Sequence, residues 1–233
     1  QAARYVPGRE GSRGYFVLII QDISERKAYE LRLHDSLEEK EVLLRELYHR
    51  TKNNMQVICS LLNLEYARCK DPQVAEEFRV IEGRIQSMSL VHEKLYKSRD
   101  LARIDLAEYI GELVPLLIRS HGIAPERIVV AARLSPVHVS IDLAIPCGLI
   151  MHEVVSNSLK HAFPGGEAGS LSIGLEEVEE SRVRITVKDD GVGLEPGFDP
   201  SASGGMGMKT GYALAAQIDG TIVFGSDHGV SCE

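Results

Sequence analysis

The 233-residue chain has no tryptophan, few aromatics (6%) and four cysteines, Cys59, Cys69, Cys147 and Cys232. No two of these cysteines make a C-x-x-C pair. Neither a zinc site nor a disulfide framework is therefore indicated, and a reducing, cytoplasmic location is expected. No apolar run approaches the roughly 20 residues that cross a bilayer. The longest near the start, Tyr15-Phe16-Val17-Leu18-Ile19-Ile20, is strand-sized and lacks a signal-peptide pattern, so no membrane segment is expected in this chain. Positive charge is not in excess either: the formal net charge is -8. Nucleic-acid surfaces need clustered cations to displace counterions, so no nucleic-acid partner is expected. Internal repeats and low-complexity tracts are also absent. What remains, 44% hydrophobic and 26% charged residues, is ordinary soluble composition. The length allows one large or two ordinary domains with adequate cores. The chain opens without methionine and stops within a strand-like segment at Glu233, and so reads as a piece of a longer protein.

Residues 1–21 read as the tail of a β domain, punctuated by Gly11 and Gly14. At Asp22 the pattern changes to a helix start, with Asp22 or Ser24 able to cap free amides. A charged, heptad-like stretch follows to about Lys70. Leu37, Leu44, Tyr48, Thr51, Met55, Ile58 and Leu62 form an apolar seam on one face. Asp71-Pro72 breaks and restarts the pattern, as N-cap and first helical residue. The next helix carries Val74, Phe78, Ile81, Ile85, Met88, His92 and Leu95 on its own seam. Two such helices form an antiparallel hairpin, whose seam is buried by pairing with a second copy into a four-helix bundle. Beyond residue 100 the heptads stop. A helix is predicted over 105–120, a strand over 127–134 and a long helix over 142–162. Two strands, 171–178 and 182–188, flank the acidic turn Glu179-Glu180. A glycine-rich loop then spans roughly 190–207, followed by a helix to about Ile218 and strands at 221–224 and from 230. Helices segregated from mixed, mostly hairpin strands indicate an α+β chain whose second part is an α/β sandwich.

The chemistry-bearing residues fall in two clusters. In His-Arg-Thr-Lys-Asn-Asn, residues 49–54, His49 follows the seam residue Tyr48 and should stand half-exposed at the bundle edge. A neutral imidazole nitrogen is a competent nucleophile near neutral pH. Glu46 and Asn53 lie one turn to either side, and either can hold the second ring nitrogen. Arg50 and Lys52 would favour approach of a phosphate. His92, on the second seam, reads as a packing residue, and His34, His121, His138 and His228 as solvent-facing. In the second cluster, Glu153, Asn157, Lys160 and His161 form one polar stripe on the long helix. An amide oxygen beside a carboxylate suits Mg²⁺, a hard cation, and Lys160 and His161 would meet phosphate oxygens. Asp189-Asp190-Gly191-Val192-Gly193 ends a strand on an acid that can accept from an amine such as adenine N6, with glycines allowing close approach. Gly204-Gly205-Met206-Gly207 leads into a helix, where free amides can cradle phosphate.

Together these segments resemble the sensor histidine kinases of bacterial two-component systems. The match is to the subfamily whose phosphoacceptor segment reads His-Arg-x-Lys-Asn-Asn, here "ELYHRTKNNMQVICSLLNLE", related to the kinases named for His, Trp and Glu. "HEVVSNSLKHAFP" is similar to that family's asparagine box, "VKDDGVGLEPGFDP" to its first glycine box and "GGMGM" to its second. "YFVLIIQDISERK" resembles the last strand of a PAS domain and its linker. The resemblance implies four segments: the end of a PAS-like domain (1–23), a helical linker (24–39), a dimerisation and histidine phosphotransfer hairpin (40–99) and a catalytic ATP-binding domain of the gyrase–Hsp90–kinase type (100–233). It implies that His49 is phosphorylated from Mg-ATP, that Glu153 assists, and that the phosphoryl group passes to an aspartate of a response regulator receiver domain. Asn157 would ligate Mg²⁺, Lys160 would contact phosphate, Asp189 would read adenine, and Gly191, Gly193, Gly205 and Gly207 would border the nucleotide and its lid. Three features depart from the pattern. Tyr48 stands where a second histidine is frequent, His152 stands where asparagine is usual, and 206–219 is less leucine-rich than typical. The alternatives are a decayed dimerisation and phosphorelay scaffold, or an ATPase or serine kinase sharing the nucleotide fold.

Overall fold

The computed structural model describes residues 2–6, 15–19, 21–98, 100–124, 126–179, 182–195, 197–200 and 205–233. Gly11, Gly14, Glu180 and Gly204, singled out in the sequence, lie outside them. The chain divides into two compact units, Gln1–Leu44 and Arg45–Glu233. In the first, strands β1 (Ala2–Val6) and β2 (Tyr15–Ile19) pair antiparallel, Ala2 against Ile19 and Val6 against Tyr15. Helix α1 (Ser24–Arg68) then begins where the Asp22 carboxylate accepts from the Ser24 amide at 2.9 Å. It is 45 residues long.

Within the second unit, α2 (Pro72–Lys97) starts as the sequence requires. Asp71 is the N-cap, accepting from Gln73 N at 2.9 Å, and Pro72 occupies the first turn, where its missing N–H costs nothing. Along α2 the seam grades from exposed Val74 and Ile81 to buried His92 and Leu95, with Val91 buried beside them. A short strand β3 (Arg103–Asp105) leads into α3 (Leu106–Ser120), capped by Asp105 through Ala107 N and Glu108 N. Strands β4 (Ile128–Leu134) and β5 (His138–Ser140) follow, then α4 (Ile141–Asn157), which continues into a π-helical turn at Ser158–Ala162. The remaining elements are β6 (Gly169–Glu179), β7 (Arg182–Asp189), α5 (Met206–Gln217), β8 (Phe224–Ser226) and β9 (Val230–Cys232).

The five-stranded sheet has the order β4-β6-β7-β9-β8, parallel only between β4 and β6. Leu171, Ile173 and Leu175 alternate along β6 and are buried with Tyr109, Ile110, Leu113 and Leu117 of α3 and Ala144, Cys147, Met151 and Val155 of α4. This is the helix-on-sheet sandwich, with a period of two on the strand and about 3.6 on the helices. Val91 and Leu95 of α2 lie in the same core, so the hairpin's second helix shares its burial with α3 and α4. Each such fully buried side chain contributes about 2 kcal/mol. The strand expected at 221–224 starts instead at Phe224. Val223 still exchanges two backbone hydrogen bonds with Glu233, at 2.7 and 2.9 Å, so the β-branched run joins the sheet only at its end.

Candidate functional site

Tyr48 is what turns His49 outward. Its hydroxyl donates to Leu101 O at 3.2 Å and its ring lies 5.9 Å from that of buried His92, which fixes this turn of α1 against α2. His49, the next residue, is exposed. Its ring packs at a 39° tilt against Tyr96 of α2, centroids 5.4 Å apart. Asn53 Nδ2 lies 3.5 Å from His49 Nδ1, one helical turn on. Glu46, the other candidate neighbour, is held by Arg50 at 2.6 Å, and that contact keeps its carboxyl below the usual range. Lys52 is paired with Glu93 of α2 at 2.9 Å. The two cations expected to attract phosphate are thus engaged by carboxylates. His92 is a packing residue whose Nδ1 is without a partner among the described residues, and burial pushes its pKa down. His34, His138 and His228 are exposed, whereas His121 is half-buried, its Nδ1 2.9 Å from Leu117 O, because it caps the end of α3.

Along α4 and the turn that follows it, Glu153, Asn157 and Lys160 of the polar stripe face protein, and His161 faces solvent. Glu153 is 6% exposed, and Arg84 of α2 donates to its Oε1 at 2.6 Å. Gly207, in the first turn of α5, lies close to the other carboxylate oxygen, where an added Cβ would collide with it. Asn157, half-buried, donates through Nδ2 to Met208 Sδ at 3.2 Å, so α5 closes over this end of α4. Lys160 lies on the π-helical turn and pairs with Glu76 of α2 at 2.5 Å, while His161 on the same turn is exposed. A π turn inserts one residue into the helical repeat, which redirects the side chains beyond Asn157.

Asp189 is 1% exposed at the end of β7. Its Oδ1 accepts from Gly191 N at 3.1 Å and Val230 N at 3.0 Å, and its Oδ2 from Ser158 Oγ at 2.7 Å. The glycine turn is anchored on both sides. Asp190 accepts from Ser170 N at 2.6 Å and Ser170 Oγ at 2.7 Å, Val192 N donates to Ala162 O at 3.0 Å, and Leu194 N donates to Ser226 Oγ at 3.0 Å. At Gly191 a Cβ would strike the Ala162 carbonyl, and Gly193 sits at φ +78°, a region that favours glycine. Gly205 is the N-cap of α5, in extended backbone.

The fold therefore brings Glu153, Asn157 and Gly207 together, and separately joins Asp189, Gly191 and the π turn. It does not bring His49 to either group. Sequence reasoning missed Arg84, Glu76, Ser158 and Tyr96. One signal was available: Gly83 and Ser87, four residues apart on α2, mark a flat strip, and a mid-helix glycine disfavoured by propensity usually has a packing reason. The donor chemistry fits a magnesium nucleotide. Met208 takes the Asn157 amide nitrogen and leaves a hard amide oxygen for the cation. A carboxylate offers about four acceptor positions and Asp189 has three filled, which leaves one on Oδ2 for an exocyclic amine.

Residues 46–121 match the family model described as histidine kinase, and residues 143–232 the one described as histidine kinase-, DNA gyrase B-, and HSP90-like ATPase. Sensor histidine kinase PdtaS of Mycobacterium tuberculosis is 30% identical over 208 residues, covering 88% of this chain and 40% of the relative. Blue-light-activated histidine kinase 2 of Erythrobacter litoralis is 26% identical over 203 residues, 84% of this chain and 55% of that protein. The chain thus spans about half or less of the length of these relatives. The solved histidine kinase domain from the Erythrobacter litoralis EL346 blue-light activated histidine kinase shares the fold, with a TM-score of 0.62 at 23% identity over 85% of this chain and 92% of that one.

Proposed function

From the matches to the two histidine kinase family models and the likeness to sensor histidine kinases, we propose that this chain is a sensor histidine kinase and that it phosphorylates His49 from Mg-ATP. The carrying observation is the pairing, in one compact unit, of an exposed His49 with a sealed Asp189 that keeps one acceptor position open beneath a glycine turn. Asp189 receives the adenine amine, and Gly191 and Gly193 let the backbone approach the nucleotide. Gly205 and Gly207 border the lid at α5, and Lys160 and His161 meet phosphate oxygens. Asn157 would hold Mg²⁺ through its amide oxygen, and the cation, when bound, would offset phosphate charge. The His49 nitrogen lone pair forms the N–P bond in line as the bond from the γ-phosphorus to the β,γ-bridging oxygen breaks, and ADP leaves with that electron pair. Asn53 steadies the other ring nitrogen, and Glu153 assists the transfer. Such catalysis is mostly positioning and charge neutralisation. The phosphoryl group then moves from nitrogen to an aspartate oxygen of a response regulator receiver domain.

A homodimer through the hairpin follows from the same reading. None of α1 is buried within the chain, and Leu47, Val57, Leu61 and Leu64 are 55–60% exposed on it, an apolar face suited to a second copy. No helix among the described residues is long and apolar enough to cross a membrane, and we infer a cytoplasmic setting for this part of the protein. The test is labelling with γ-labelled ATP. The label should be acid-labile and base-stable and disappear in His49→Ala, while ATP binding survives there. Asn157→Ala should lose Mg²⁺-dependent binding and labelling together. Acid-labile phosphate persisting in His49→Ala would overturn the assignment.

A further inference from the structure

Resting on that reading, we propose that α2 is an internal competitor of the nucleotide: docked on α4, it occupies Lys160, which the phosphates need, and Glu153, which assists transfer, and it must release them before phosphate can move. Three contacts make the dock. Glu76 pairs with Lys160 at 2.5 Å, Arg84 with Glu153 at 2.6 Å, and Ser87 Oγ lies 3.3 Å from His152 Nδ1. As the α2 number rises the α4 number falls, so the helices run antiparallel, and Glu153 and Lys160 of the polar stripe meet α2. The close approach depends on Gly83, where a Cβ would collide with the His152 ring.

The dock also stands at the wrong height for transfer. His49 packs on Tyr96, and the rise per helical residue puts Arg84 about 18 Å and Glu76 about 30 Å along α2 from that point. Glu153 and Lys160 are held there, away from the imidazole. Release has little to oppose it at Glu76, because Arg79 already donates to both of its oxygens, at 2.8 and 2.9 Å. That carboxylate keeps a partner when Lys160 turns to phosphate, and Arg79, then Lys160, hold its pKa down to about 2, so it stays charged in both arrangements. Docking and nucleotide are therefore linked, and each weakens the other by the same factor.

The experiment is a titration of the 233-residue chain with Mg-ATP, comparing wild type with Glu76→Gln, Gly83→Ala and, as control, the exposed neighbour Glu77→Gln. Glu76→Gln and Gly83→Ala should each bind roughly fivefold more tightly and label faster, with Glu77→Gln unchanged. Saturating Mg-ATP should reciprocally raise hydrogen exchange in wild-type α2 over residues 76–87. Glu76 is 44% exposed, so Glu76→Gln tests the idea even if Gly83→Ala fails to fold. Unchanged or weaker affinity in folded Glu76→Gln, or unaltered exchange in α2, overturns the competition while leaving the kinase reading intact. Absence of binding in wild type and every variant overturns both.

Discussion

His49 and Asp189 are both proposed to act on the same nucleotide, yet the fold treats them oppositely. His49 is exposed on a helix with no buried residue, and its ring meets Tyr96 and Asn53. Asp189 is 1% exposed and takes a hydroxyl and two backbone amides from the π turn, its own loop and β9. A nucleophile that must meet two partners in turn, a nucleotide and a receiver domain, needs reach and little else. A base reader needs its carboxylate fixed before the ligand arrives, since geometry not prepaid is lost from affinity. The contrast predicts that replacements at the first position change chemistry alone, and at the second chemistry and stability together.

The largest expected effect that separates them is Asp189→Ala. It strands Ser158 Oγ, Gly191 N and Val230 N in a buried place, costing about 3 kcal/mol or more. ATP binding should vanish with it. His49→Ala, by contrast, should shift stability by no more than about 0.5 kcal/mol. Urea unfolding of both variants beside an ATP titration reads this directly. An Asp189→Ala chain as stable as wild type would show that the three donors find other partners and that the site is less preorganised than its geometry indicates.

The second effect concerns the dock between α2 and α4. Burial, and then the nearby Arg84 charge, push the His152 pKa from 6.5 down to about 4. Above pH 6.5 the ring is neutral in both folded and unfolded chains and adds no pH dependence. Between 6.5 and about 4 only the unfolded chain takes the proton, so stability falls as pH falls, by about 2 kcal/mol at pH 5. Below that window the folded ring protonates too and the loss levels off. His92 and His121 are shifted the same way by burial, so the His152 share is the difference between wild type and His152→Gln in urea titrations at pH 7.5 and 5. Equal slopes in both proteins would mean that His152 is not held neutral against Gly83 and Ser87.

What was legible in the sequence follows the range of the interactions. Asp71-Pro72, the acidic end of β7 and the glycine turn are local patterns, and each stands in the structure where its turn chemistry requires, whereas the seams are buried only toward the end of α2. The helix read over 142–162 is one run, but its last five residues form a π turn that aims Lys160 at α2, and no spacing rule signals that change. Arg84 to Glu153 spans 69 residues and Val230 to Asp189 spans 41. Such pairs depend on how α2 and β9 pack, information that no window of the chain carries. The ion pair of Lys52 was hidden for the same reason, since its partner Glu93 comes from the other helix. For Arg50 the partner was visible at i−4, in Glu46.

That last pair supplies the smallest and sharpest test of the exposed side of the comparison. Glu46 and Asn53 flank His49 at equal sequence distance, so spacing alone cannot rank them as partners of the ring. The structure ranks them: Asn53 Nδ2 is 3.5 Å from Nδ1, whereas the Glu46 carboxylate is bound to Arg50 at 2.6 Å. Both residues are exposed, so neither Asn53→Ala nor Glu46→Ala should change stability by more than about 0.5 kcal/mol. One neutral hydrogen bond of about 1 kcal/mol corresponds to roughly a fivefold slower labelling rate in Asn53→Ala, with Glu46→Ala close to wild type. Initial rates at saturating Mg-ATP would report it, because binding at the distant site is then complete. If Glu46→Ala were the slower of the two, Glu46 must exchange Arg50 for the imidazole during transfer, and the outward ring would be steered by a carboxylate rather than an amide.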